Sequence, residues 1–176
     1  HSQAITTLRR RIAQQNISLD TSGVALEYCL ENSLTHPQIL SLNKNEYFGI
    51  DRNSWGKFAN LLLVHDKNGC WILMGNGDQL FDRWETIPYI DISKIQSKLG
   101  TKIGPTLGAG DAFHAGVLYG SQLLELNKES SVKYGLAVAS VAVRSGVGIS
   151  EINYREIEQV WPFFNELEMC HRNPDG

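Results

Sequence analysis

The chain has 176 residues, 42% of them hydrophobic and 20% charged, which is the composition of a globular domain with a real core. Its net charge of −3 argues against nucleic acid or an anionic membrane as partner, and no apolar stretch is long enough to span a bilayer. Cys29, Cys70 and Cys170 are too few and too scattered for a disulfide framework or a zinc site, no signal peptide is visible, and the expected setting is the reducing cytoplasm.

Helical and strand patterns alternate along the chain. Residues 4–15 carry Ile5, Leu8 and Ile12 on one helical face, after which 16–20 read as a short strand. A second helix is expected over 22–31, capped at Thr21 or Ser22, then a strand over 37–42 ending at Asn43. The continuous apolar run 60–65 predicts a buried strand, paired through a turn at 66–69 with another over 70–74. Gly75-Asn76-Gly77-Asp78 reads as a hairpin turn, and 81–89 as extended chain. Three helices follow: a long one over 110–126, a deeply buried one over 130–144, and one over 154–167 interrupted near Pro162. The tail from Met169 is expected to fray. The alternation implies an α/β layered fold with a largely parallel sheet.

The segment from Pro105 to Gly116 carries the most chemistry. It reads Pro-Thr-Leu-Gly-Ala-Gly-Asp-Ala-Phe-His-Ala-Gly and opens a helix-like run. A small-residue turn at a helix start leaves backbone N–H groups aimed the same way, with the helix dipole behind them. Gly108, Ala109 and Gly110 would let an anion approach the backbone. A carboxylate at Asp111, beside such a hole, makes sense as a proton acceptor for a hydroxyl attacking a phosphate. A Gly-x-Gly turn alone is weak evidence, because Asp near a helix start is also an ordinary dipole partner. The segment is neither a Rossmann fingerprint, since Phe113 stands where the third Gly should, nor a Walker A loop.

As a whole the segment resembles the second signature of the PfkB, or ribokinase-like, carbohydrate kinases, Asp-Thr-Thr-Gly-Ala-Gly-Asp-x-Phe-x-Ala-Gly. Thr106, Gly108, Ala109, Gly110, Asp111, Phe113, Ala115 and Gly116 match it. Pro105 replaces the family's Asp and Leu107 its second Thr; in the family that region helps bind a monovalent cation, so these departures count against cation activation. Asn43-Lys44-Asn45-Glu46 is similar to the family's Asn-x-x-Glu motif on the magnesium and phosphate side. Physically, a carboxylate at a strand's C-terminal edge can hold magnesium through water; the bland reading of the same four residues is a helix cap. Residues 63–70 resemble the family's Val-Thr-x-Gly-x-x-Gly-Ala hairpin beside the nucleotide, with Val64 in place of Thr, Asp66 in place of Gly, and Gly69 retained. Core plus turn is the bland alternative there.

The resemblance covers nearly all of this chain but only the C-terminal part of a typical member, without the lid and sugar-gripping motifs of its first half. It implies a phosphotransferase to an alcohol group: ATP and Mg2+ bound, Asp111 as general base, Gly108 to Gly110 as the anion hole. Asn43 and Glu46 would serve the metal, and Thr106, Val64, Asp66 and Gly69 would lie around the nucleotide. The expected partners are a nucleotide and a small sugar-like substrate, with the missing half supplied by another chain, or a homodimer covering the exposed surface. The rival expectation is a non-catalytic relative with a regulatory or assembly role, or a fragment inactive alone.

Overall fold

In the computed structural model, residues 18–20, 39–49, 61–66, 69–75, 80–88, 92–100, 104, 106–143 and 152–171 are described. The expected helices over 4–15 and 22–31, the turn at 76–78, Cys29 and Pro105 lie outside them. Five strands form one sheet in chain order: β1 (Ser18–Asp20), β2 (Ile39–Asn43), β3 (Leu61–Asp66), β4 (Gly69–Gly75) and β5 (Leu80–Pro88). Between β2 and β3 comes a short helix, α1 (Lys44–Phe48). The remaining helices are α2 (Ile92–Leu99), α3 (Ala109–Gln122), α4 (Lys128–Ala142) and α5 (Tyr154–Asn165). The chain divides into two compact units, one holding His1–Asp66, Cys70–Thr86 and Cys170–Gly176, the other Lys67–Gly69 and Ile87–Met169.

In the first unit β1, β2 and β3 pair in parallel, with Ser41 opposite both Asp20 and Leu63. The connections into β4 and β5 are too short for parallel crossovers, so the sheet is mixed rather than largely parallel. The run Leu61 to Val64 is buried throughout, as continuous apolar strands must be. Alternate residues Leu40, Leu42, Leu62, Val64, Trp71 and Leu73 meet Tyr47 of α1 in one core. Burial, reinforced by nearby Asp66, pushes the Cys70 thiol up, so it stays protonated and inert.

The tail does not fray at its start. Cys170 and Thr86 exchange both backbone hydrogen bonds, at 2.7 and 3.0 Å, as an isolated antiparallel bridge.

The second unit is helical. Its core joins Ile95 of α2, Ala112 of α3, Tyr134, Ala137, Val138 and Val141 of α4, and Ile157, Val160 and Phe164 of α5. At the α3–α4 seam a Cβ on Gly135 would stand 2.5 Å from Val117 Cγ2 and 2.7 Å from the Phe113 carbonyl oxygen. A Cβ on Gly116 would stand 2.8 Å from Gly135 Cα. Only glycine permits that approach. The Gly116 end of the Pro105–Gly116 segment therefore has a packing role of its own. Lys133 is buried, paired with Glu129 one turn earlier, and donates to the Asn165 carbonyl at the end of α5 at 3.3 Å.

Several boundaries differ from expectation for physical reasons. Helix α3 ends at Gln122, not 126, because the chain turns back through Glu125 in the left-handed region (φ 52°) and Leu126 N–H returns to the Gly120 carbonyl. Helix α4 starts earlier than expected because Asn127 caps it, accepting from Ser130 N–H at 2.8 Å. Helix α5 runs through Pro162 without interruption, since Ile157, Val160 and Phe164 anchor one face on both sides of the exposed proline. Helix α2 has no counterpart in the predicted elements, although Ile92, Ile95 and Leu99 recur at helical spacing.

Candidate active site

The residues expected around a phosphoryl-transfer site fall into two groups, one in each unit. In the first unit Asn43 and Glu46 are brought together as a capping box. Asn43 Oδ1 accepts from Glu46 N–H at 3.0 Å, and Glu46 Oε2 accepts from Asn43 N–H at 2.8 Å. This is the bland alternative, realised in full. It leaves Glu46 Oε1 and Asn43 Nδ2 outside the box, at half-buried positions on the C-terminal edge of a parallel strand. Strand register sets Leu42 opposite Val64 and Asn43 opposite His65, so the same edge carries Asp66. Val64 itself is fully buried in the core, and its side chain contributes packing rather than a ligand. Asp66 is half-buried and makes further interactions.

Among the described residues no group of three His, Cys, Asp or Glu could hold a metal ion. One spare carboxylate oxygen, held by a capping box at a strand edge, suits magnesium kept at one remove by water. It does not suit an all-protein cage.

In the second unit the Thr106–Asp111 turn leads into α3. Gly104 N–H donates to the Val143 carbonyl at 2.6 Å, tying the approach to the end of α4. Ala109 N–H closes a four-residue turn on the Thr106 carbonyl at 3.1 Å. Gly108 caps α3 in the left-handed conformation (φ 81°, ψ 2°), with no side-chain capping bond. The first intrahelical bond runs from Ala112 N–H to the Gly108 carbonyl at 2.9 Å. Among the described residues, then, the N–H groups of Gly110 and Asp111 have no carbonyl partner. Thr106 and Leu107 are exposed, and so is the Asp111 carboxylate. Gly69 sits at φ 139° at the head of β4, a conformation that favours glycine.

One further group was not singled out from the sequence. His114, one turn past Asp111, is buried, and burial holds its imidazole below the usual range, against the opposing pull of Asp111. The three-residue spacing from an acidic residue on a helix was the available signal.

No protein-family model matches the chain, and no curated protein sequence does. Solved structures do. A Clostridium perfringens protein assigned as a sugar kinase superposes with a TM-score of 0.60 at 15% identity, over 98% of this chain and 61% of its own. A Methanocaldococcus jannaschii nucleoside kinase, an archaeal member of the ribokinase family, gives 0.55 at 21% identity, over 77% of this chain and 42% of its own. The Escherichia coli phosphofructokinase-2, in complex with fructose-6-phosphate, gives 0.56 at 14% identity, over 85% and 46%. The likeness is one of fold, ribokinase-like, and the chain spans less than two thirds of each of these neighbours. Among the described residues no helix is long and apolar enough to cross a membrane.

Proposed function

We propose that this chain is the nucleotide-binding and phosphoryl-transfer portion of a ribokinase-like kinase acting on a hydroxyl of a sugar or sugar-like substrate. The observation that carries the reading is the start of α3, where two N–H groups with no carbonyl partner among the described residues stand beside an exposed carboxylate in the first turn. Donors so placed stabilise charge developing on a transferring phosphoryl group, at no cost of reorganisation during the step. Asp111 accepts the proton of the acceptor hydroxyl as its oxygen bonds to the γ-phosphorus and the β–γ bridging P–O bond breaks, releasing the nucleoside diphosphate. Thr106, Gly69 and the strand edge bearing Asp66 border the nucleotide in this reading. Asn43 and Glu46 hold magnesium through water, and the ion, when bound, offsets the negative charge of the donor's phosphates.

The test is Asp111→Asn in a form of the protein that spans the full length of its structural neighbours. Turnover should fall by about 10²–10⁴-fold, with nucleotide affinity unchanged or improved because a negative charge beside the phosphates is gone. Turnover that survives the substitution removes Asp111 as the base and sinks the mechanism.

A second reading is a non-catalytic relative that keeps the fold for assembly or regulation. It is favoured by Glu46 spending an oxygen on the capping box and by Val64 in the core where the family carries Thr. Absence of magnesium-dependent transfer to any alcohol in the wild-type full-length form would favour it over the first.

A further inference from the structure

Helix α1 is five residues long, too short to hold itself together, so its place is set by what its side chains touch. Its first residue, Lys44, lies between the two partners of the capping box, Asn43 and Glu46. A cation there has the wrong sign for a helix start, which favours negative charge. Its ammonium is nevertheless held at a definite place, 4.7 Å from the centroid of the Trp71 ring and 5.7 Å from that of Phe48. Both distances lie within the range of cation–π attraction. Trp71 is buried on β4, two places from β2 in the sheet, and Phe48 ends α1 with its ring half exposed. One side chain therefore joins the start of α1, its end and a strand beyond β3. Tyr47 anchors the same helix, edge-on to Phe48 at 5.3 Å and to Trp84 at 5.6 Å.

We infer that Lys44 is a positioning residue: a cation–π strap that holds α1 down and so fixes where Glu46 and the Asn43 amide stand at the sheet edge. Without the charge the capping box opens more often, and the pair is in place for less of the time. The consequence for magnesium rests on the kinase reading, whereas the strap itself does not.

Amide hydrogen exchange of this chain tests it, read at Asn43 and Glu46, whose N–H groups are the two donors of the box. In Lys44→Gln both amides should exchange roughly 2–5-fold faster, the size of a part-exposed cation–π contact, while those of Leu62 and Val64 keep their rates. Lys44→Arg keeps the charge and should keep the wild-type rates. The sign is decisive. A lysine that merely sits on the helix works against its dipole, so removing the charge would leave exchange at the box unchanged or slow it. That result overturns the inference, and so does an acceleration shared equally by Leu62 and Val64, the mark of a general loss of stability. In a full-length form that transfers phosphate, Lys44→Gln should raise the magnesium concentration for half-maximal rate by a like factor, with the rate at saturating magnesium near wild type. A magnesium midpoint that does not move overturns the positioning role. Faster local exchange, together with a full-length form that transfers no phosphate, would remove the kinase reading and leave the strap standing.

Discussion

Among the described residues, four helix starts are finished in two ways. Those of α1, α4 and α5 are each closed by an asparagine whose side-chain oxygen accepts from the first turn: Asn43, Asn127 and Asn153. That of α3 is capped by Gly108, which has no side chain to give, and among the described residues the Gly110 and Asp111 N–H groups have no carbonyl partner. A side-chain cap contributes typically ~1 kcal/mol. Set beside those three, the bare start of α3 forgoes that stabilisation at the Thr106–Asp111 turn.

The contrast can be broken by substitution. The largest expected loss comes from Gly135→Ala, whose Cβ would meet Val117 at 2.5 Å and the Phe113 carbonyl at 2.7 Å. Overpacking of this kind costs roughly 1–3 kcal/mol, more than the ~1 kcal/mol of helix propensity gained. Urea denaturation should show a lowered midpoint with an unchanged slope. An unperturbed midpoint would mean that the helices can part without cost, and the open start would lose its support.

Next is the pair Gly108→Ala and Asn127→Ala. The first forces a side chain into the left-handed region at a cost of roughly 1–2 kcal/mol and should also weaken nucleotide binding. The second removes a cap worth about 1 kcal/mol and should leave binding alone. Calorimetry beside denaturation separates them, and equal binding in both variants would erase the distinction between open and closed starts.

A smaller effect is expected from pH. The folded chain holds His114 below its ordinary value of 6.5, so the unfolded chain binds a proton that the folded one refuses. Stability should therefore fall as pH drops below the ordinary imidazole range and level off below the folded value. Asp111→Asn should deepen the fall, and His114→Gln should abolish its contribution. Thermal melts across that window provide the check. Smallest of all is the stability change of Asp111→Asn at neutral pH, a loss of about 0.3–1 kcal/mol from the helix dipole, far below its expected effect on turnover.

The strands and the main helices were legible because each carries its own local pattern. Leu61 to Val64 declares a buried strand, and the small residues of α4 declare a buried helix. What escaped depends on partners distant in sequence. Nothing near Gly135 says that Val117 and the Phe113 carbonyl will fill the space of its side chain, and nothing near Cys170 points to Thr86. Pro162 misleads because local propensity argues for a break that packing on both sides overrides. At the candidate site, the turn from Thr106 to Asp111 was readable as a unit, since its chemistry is contiguous. Asn43 and Glu46 were readable as a pair but not as to role, because a capping box and a metal-side motif demand the same residues at the same spacing.

The glycine seam between α3 and α4 has a mechanical consequence. Backbones this close leave no side chain between them to swing, so α3 is clamped along the length that begins at the Asp111 turn. A mount of that kind fixes where the Asp111 carboxylate and the Gly110 and Asp111 N–H groups stand. Misplacement by about 1 Å can cost on the order of 10²-fold in rate, so a stiff mount is worth more to a reacting group than to a mere scaffold. Amide hydrogen exchange should accordingly be slowest not at the turn itself but just behind it, at Gly116 and Val117, the fixed end from which the working end projects.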